Sequence, residues 1–243
     1  MRKLTFFIAL FIASISFINA QEKQVTLEEI WGGEFRGEYM DALHSMTDGE
    51  HYSVLDFDRA SRSTSVNKYN YKTLQKTATL VDSKNIEDIA YFSDYTFSSD
   101  ESQLLLATDV TPIFRHSSIG KYYIYNIKSK TTSLVSDQKI QEPTFSPDGK
   151  KVAYVFENNI YYKNLATGKV TQVTTDGKKN EIINGVTDWV YEEEFAFVRA
   201  FEWNKTGTKI AYIRFDETKV PEFSMDVYGS ELYQTQTVFK YPK

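Results

Sequence analysis

The sequence predicts an all-β protein, a partial β-propeller, and three observations carry that reading. A turn motif recurs about every 50 residues, a spacing within the range of propeller blades. Each turn is followed by short runs rich in β-branched and aromatic residues, the composition of strands. Some of those runs, Val152–Phe156 above all, are apolar throughout, so both faces of the strand are covered. Blades packed face to face supply that cover and leave only short edges. A β-sandwich would present comparable strands, but not a repeated turn at this period.

Composition sets the outer limits. Among 243 residues, 41% are hydrophobic and 15% aromatic, which provides for a sizeable core and excludes a disordered or collagen-like chain. The net charge of -5 argues against a nucleic-acid partner, because phosphate binding requires a basic face. With no cysteine there is no disulfide scaffold, thiolate nucleophile or cysteine zinc site. His44, His51 and His116 lack the i, i+4 spacing of a helical metal pair, so neither a metal nor a cofactor is expected.

From the N-terminus, Arg2 and Lys3 precede an apolar run from Leu4 to Ile18, and Ala20 places a small residue before the polar Gln21–Gln24. This is the order of a secretory leader, and the run falls short of the roughly 20 apolar residues of a membrane-spanning helix. Residues 1–20 are therefore expected to be cleaved from an exported, soluble protein, periplasmic or extracellular. Residues 21–45 read as an N-terminal arm in which Thr26-Leu27-Glu28-Glu29 forms a capping box for a short helix. Residues 46–243 read as an incomplete propeller domain.

The first repeat opens at Met46-Thr47-Asp48-Gly49 and continues through Tyr52–Leu55, Val66–Tyr71 and Ala78–Val81. The second opens at Phe97-Ser98-Ser99-Asp100, followed by Leu104–Ala107, Tyr122–Ile127 and Thr131–Val135. The third is the clearest: Phe145-Ser146-Pro147-Asp148-Gly149-Lys150 places Pro and Gly where a β-turn uses them, before Val152–Phe156, Ile160–Tyr162 and Val170–Val173. A fourth opens at Trp203-Asn204-Lys205-Thr206-Gly207 with Lys209–Ile213 as its strand. Asn204-Lys205-Thr206 is a formal glycosylation sequon, of little weight inside a blade turn. Four blade beginnings in a fold that closes with four to eight full blades lead to the expectation that this is the front part of a longer protein.

No Gly-x-Ser-x-Gly elbow, Gly-x-Gly-x-x-Gly or phosphate loop occurs, so any role of this stretch is binding. Two segments qualify. Between the third and fourth repeats, Asp188 is placed to cap a short helix, with Glu192, Glu193 and Glu194 early in it, where the dipole favours negative charge. A solvated helix start is one reading. The other is a cation site: Trp189, Tyr191, Phe195 and Phe197 are expected to pin the triplet, and adjacent carboxylates held rigidly repel unless a cation relieves them. A substrate ammonium with three N–H donors is suitable. Within the second repeat, Ile113-Phe114-Arg115-His116-Ser117 offers a guanidinium, either for a surface carboxylate or for a peptide carbonyl. His116 reads as a packed, hydrogen-bonded ring rather than a general base.

Asp188-Trp189-Val190-Tyr191-Glu192-Glu193-Glu194, taken with Arg115-His116-Ser117, resembles the dipeptidyl peptidase IV group of the prolyl oligopeptidase family of serine peptidases. The resemblance covers essentially the whole mature chain, including Asn184-Gly185-Val186-Thr187 before the motif and Asp216–Pro221 after it. The leader and the lack of cysteine fit the bacterial branch. The resemblance implies an eight-bladed propeller above an α/β-hydrolase domain that supplies Ser, Asp and His. It implies that Glu193 and Glu194 bind the free amino terminus of a peptide substrate, that Arg115 holds a backbone carbonyl, and that Glu192 and Tyr191 support the segment. The scissile bond then falls two residues in, so dipeptides are removed, preferentially after Pro or Ala. A homodimer is implied for the full-length form, through contacts mostly outside this stretch. The 243 residues alone, without the nucleophile, are expected to be inactive. The alternative is a secreted, non-catalytic propeller that binds or scaffolds, since fold does not fix function.

Overall fold

The computed structural model describes residues 24–37 and 42–241; the leader expected at residues 1–20 lies outside them. The chain divides into two units, Met1–Met40 and Asp41–Lys243. In the first, helix α1 (Leu27–Gly32) starts as expected: Thr26 accepts from the Glu29 N–H, and the Glu29 carboxylate accepts from the Thr26 N–H. Gly33, at φ 81°, ends it in the left-handed conformation.

The second unit is built of antiparallel meanders. Strands β1 (Leu43–Ser45), β2 (His51–Asp58), β3 (Ser63–Asn70) and β4 (Lys76–Asp82) form one four-stranded sheet in sequence order. A second comprises β5 (Asp94–Phe97), β6 (Gln103–Pro112), β7 (Ser118–Asn126) and β8 (Thr131–Leu134), and a third β9 (Gln141–Phe145), β10 (Lys151–Phe156), β11 (Asn159–Asn164) and β12 (Val170–Gln172). These are three blades. A fourth unit is assembled from two-stranded pairs: β13 (Ile182–Asn184) with β16 (Arg214–Asp216), and β14 (Phe201–Trp203) with β15 (Ile210–Tyr212). A hairpin of β17 (Glu222–Val227) and β18 (Thr235–Lys240) follows.

The recurrent turn joins β1 to β2, β5 to β6, β9 to β10 and β14 to β15, with one geometry. The N–H groups of Gly49, Glu101, Gly149 and Gly207 donate to the carbonyls of Met46, Ser98, Ser146 and Asn204 at 2.8–3.1 Å. All four donors have positive φ, and Glu101 takes at 55° a position that glycine holds in the other three. Asn204 Oδ1 accepts from the N–H groups of Thr208 and Lys209, so the sequon amide is part of its turn. Successive turns are also tied together: Thr47 N–H donates to Glu101 Oε1, Gln103 Nε2 to the Gly149 carbonyl, and Lys151 Nζ to the Gly207 carbonyl.

Alternation along the central strands explains how both faces are buried. On β6, Leu104 and Leu106 join Val66, Val81, Phe92 and Tyr95 in the core between the first and second blades. Leu105, on the opposite face, joins Ile140, Phe145, Val152 and Tyr154 between the second and third. On β10, Ala153 and Val155 face the other way and pack with Ile160, Val186 and Phe201 of the fourth unit. Each strand thus belongs to two cores, which is why Val152–Val155 are all buried.

Candidate functional site

The Arg115 loop is the tip of the β6–β7 hairpin. Ile113 N–H donates to the Ser117 carbonyl at 2.9 Å and Phe114 N–H to Ser117 Oγ at 3.2 Å, closing the loop and turning Arg115 outward. Its side chain is 70% exposed. His116 is exposed as well, so its ring is not packed as expected; its contribution here is its backbone N–H.

The acidic motif sits on a lobe that leaves the fourth unit at Gly185 and is pinched at its base. There Thr187 N–H donates to the Val198 carbonyl and Thr187 Oγ1 to the Phe197 carbonyl, both at 3.0 Å, and Val186 pairs with Arg199. Helix α2 (Trp189–Phe195) forms the tip. Asp188 caps it as expected, accepting from the Tyr191 N–H at 2.9 Å. Ala196, at φ 54°, ends it. The helix is short enough that only Glu192 lies in the first turn. Glu193 and Glu194 fall in the second half, where the dipole disfavours negative charge, contrary to the sequence expectation.

The three glutamates face three settings. Glu192 is 2% exposed, and its Oε1 accepts from the His116 N–H at 2.7 Å and the Ser117 N–H at 2.8 Å. Glu193 Oε1 lies 2.7 Å from Arg115 Nη2, with its side chain 22% exposed. Glu194 is exposed, with no ion pair or hydrogen bond to another described residue. Residues of the second blade and the fourth unit, some 75 positions apart, thereby meet at one place.

Aromatic pinning is partial. The Tyr191 ring lies 5.0 Å from Phe215, 5.3 Å from Phe195 and 5.9 Å from Phe197, centre to centre, while Trp189 lies 4.7 Å from Tyr241. Phe195 itself is 64% exposed. The deepest anchor is the buried carboxylate of Glu192, which the sequence reading assigned only a supporting part.

An exposed Arg–Glu pair contributes only about 0–1 kcal/mol, so the Arg115–Glu193 contact is weakly accounted for as a stability device. In charge, two carboxylates against one guanidinium leave a single negative charge, matching a monocation. The contact occupies one nitrogen of a guanidinium that has five N–H donors, leaving others for a carbonyl.

Beside the site lies a cavity of about 390 Å³ whose lining includes His116, Ser118, Tyr122, Glu142 and Arg199. Burial pushes the Tyr122 hydroxyl up to about 12 and raises the Glu142 carboxyl, with Glu192 adding to the latter shift and Arg199 opposing it. Nothing in the sequence around Glu142 or Arg199 marked them as neighbours of the motif, because both reach it only through the packing of blades. A larger cavity, about 690 Å³, lies beside the β17–β18 hairpin and contains none of the site residues. Among the described residues, no group of three or more His, Asp and Glu side chains is placed to hold a metal ion.

Fold and site together define a propeller segment in which a hairpin-tip arginine is paired to a glutamate on an inserted helix. The family described as dipeptidyl peptidase IV (DPP IV) N-terminal region matches residues 98–243, more than half of the chain, and the chain belongs to that family. It is similar to the crystal structure of Porphyromonas gingivalis dipeptidyl peptidase 4, at 37% identity and a TM-score of 0.82, over 91% of this chain and 32% of that one. It is 36% identical to dipeptidyl peptidase 4 of Felis catus over 62% of this chain and 20% of the relative. It is 31% identical to prolyl endopeptidase FAP of Homo sapiens over 91% of this chain and 28% of the relative. The chain thus spans less than a third of the length of these relatives.

Proposed function

We propose that this segment is the substrate-recognition part of an exported serine exopeptidase that removes N-terminal dipeptides, preferentially after Pro or Ala. Glu193 and Glu194 hold the substrate ammonium, and Arg115 holds a backbone carbonyl while remaining paired to Glu193. The observation that carries the reading is the 2.7 Å contact between Arg115 and Glu193, which joins two motifs far apart in sequence at the end of a helix that disfavours the negative charge of the glutamates. An anchored ammonium acts as a ruler, setting the scissile bond two residues in and orienting the acyl carbon for attack. Residues 1–20 direct export to the periplasm or beyond, and the arm expected over residues 21–45 gives way to the propeller earlier than the sequence suggests, because Leu43–Ser45 already pair with β2 in the first blade. The nucleophile comes from a hydrolase domain outside this segment, so the segment alone is inactive. The full-length form pairs as a homodimer. The β17–β18 hairpin, with Tyr228, Leu232 and Tyr233 all strongly exposed, is consistent with association.

One relative is named an endopeptidase, and an endopeptidase has no need of a terminal ammonium. The test therefore uses the complete peptidase with an Xaa-Pro substrate, as the free amine and as its acetylated counterpart. Cleavage is expected for the free amine only. Glu193→Ala and Glu194→Ala should each remove about 2–5 kcal/mol of binding, more than tenfold in kcat/KM. Undiminished turnover in either variant overturns the clamp. Efficient cleavage of the acetylated peptide moves the assignment to an endopeptidase.

A further inference from the structure

Glu192 takes no part in the proposed clamp, yet it is where the two halves of the site join. A carboxylate in a protein interior is costly unless its oxygens are hydrogen-bonded. Here one oxygen takes two short backbone N–H bonds, 2.7 and 2.8 Å, of the charge-assisted kind. The hairpin tip does not depend on them for closure, because Ile113 and Phe114 already close it onto Ser117. At the tip, water would satisfy the N–H of exposed His116 equally well, whereas Ser117 is buried and its N–H has the carboxylate as its acceptor. What the carboxylate adds is location. It ties the residue immediately after Arg115 to the residue immediately before Glu193, so the backbones carrying both partners of the ion pair are held at adjacent positions. A freely placed Arg on a hairpin tip would lose up to about 2 kcal/mol of rotamer freedom on engaging a ligand.

We propose that Glu192 is a positioning residue: its buried carboxylate latches the 113–117 hairpin tip to α2 and thereby sets where the Arg115 guanidinium stands relative to Glu193 and Glu194. The kinetic consequence rests on the clamp reading; the latch itself does not.

The test uses the complete peptidase with Glu192→Leu, Glu192→Gln, Arg115→Ala and the doubles. Hydrogen exchange of a peptide covering residues 113–118 should become about tenfold faster or more in Glu192→Leu, with the β6 and β7 strand peptides unchanged. Glu192→Gln should fall between, because its neutral oxygen still accepts but with roughly half the strength. If Arg115 contacts substrate in both ground and transition states, Glu192→Leu should raise KM about tenfold with kcat within about twofold, and Glu192→Gln should recover most of the loss. In the Arg115→Ala background, Glu192→Leu should change KM by less than about twofold, since the group it positions is gone. An unchanged exchange rate at 113–118 overturns the latch. An equal KM effect with and without Arg115 shows that Glu192 serves the fold alone and overturns the positioning role. Should Arg115→Ala and Glu193→Ala both leave KM unaltered, the clamp reading fails while the exchange result still decides the latch. Where Glu192→Leu does not accumulate as folded protein, Glu192→Gln carries both measurements. A KM increase of about threefold with faster exchange at 113–118 supports the proposal, and wild-type values of both overturn it.

Discussion

Three consecutive glutamates on one short helix occupy a buried, a half-buried and an exposed setting, because successive residues of a helix point about 100° apart. The residue types were legible in the sequence; the settings were not, since they depend on what the β6–β7 hairpin brings against the helix. Glu142 shows the same limit more sharply. It lies on β9 at φ 52°, and its carboxyl is raised chiefly by burial, with Glu192 reinforcing the shift and Arg199 opposing it. Between the ordinary value of 4.5 and the raised folded value, the native state keeps a proton that the unfolded chain has released. Stability therefore falls as pH rises through that window. Asp48, lowered chiefly by Lys68, and Asp58, lowered chiefly by Ser61, act with the opposite sign. Their contribution is present above the ordinary value of 3.8 and is lost as pH falls below it. Glu142→Gln should consequently raise the urea midpoint at about pH 8, with the gain closing by about pH 4, where the wild-type group is protonated in both states. Midpoints that run parallel for variant and wild type across that range would contradict the assignment.

At the scale of elements, turns and central strands were readable because their signals are local. Gly149 and Gly207 sit at positive φ in the turns their sequences announce, and β6, β7, β10 and β11 carry the expected apolar runs. The first strand of each blade escaped notice. β1 has three residues, all exposed, and β9 includes Pro143 and the left-handed Glu142, so neither shows alternation. The β17–β18 hairpin, exposed along the whole of β17, likewise lacks the one-sided pattern that marks a strand packed on a core. Gly185, by contrast, has a structural reason that its sequence context hints at only weakly. It has φ 80° where the α2 lobe leaves the blade, and an added Cβ would stand 2.7 Å from Ile160 Cγ1 and 2.9 Å from Cδ1. Backbone strain and overpacking of the core against the third blade then act together. Gly185→Ala should cost about 2–3 kcal/mol in urea unfolding. A loss below about 0.5 kcal/mol, the range of ordinary surface substitutions, would mean that the lobe is not seated on Ile160 as described.

For the molecule as a whole, strand alternation was visible in the sequence, but which blade each face meets was not. The cores between successive blades turn out to be separate: Ile89 belongs to the first, Ile140 to the second and Ile160 to the third, with no residue shared among them. Stacked units of this kind behave as a chain of nearest-neighbour interfaces, each contributing its own increment. Ile89→Val, Ile140→Val and Ile160→Val remove one methylene from each core and should individually cost about 0.5–1.5 kcal/mol. Because Ile89 and Ile160 have no common packing partners, the double variant in which both become Val should match the sum of the singles to within about 0.5 kcal/mol. Ile140→Val combined with Val152→Ala, both within the second core, should depart from its sum, since each cavity alters how the other can collapse. Urea unfolding of the singles and doubles decides between the two behaviours. Strong coupling between Ile89 and Ile160 would show that strain passes through the second and third blades as a rigid body. In that case a distant core would influence the Arg115 hairpin tip, and with it the Arg115–Glu193 contact, in addition to the local contacts of Glu192.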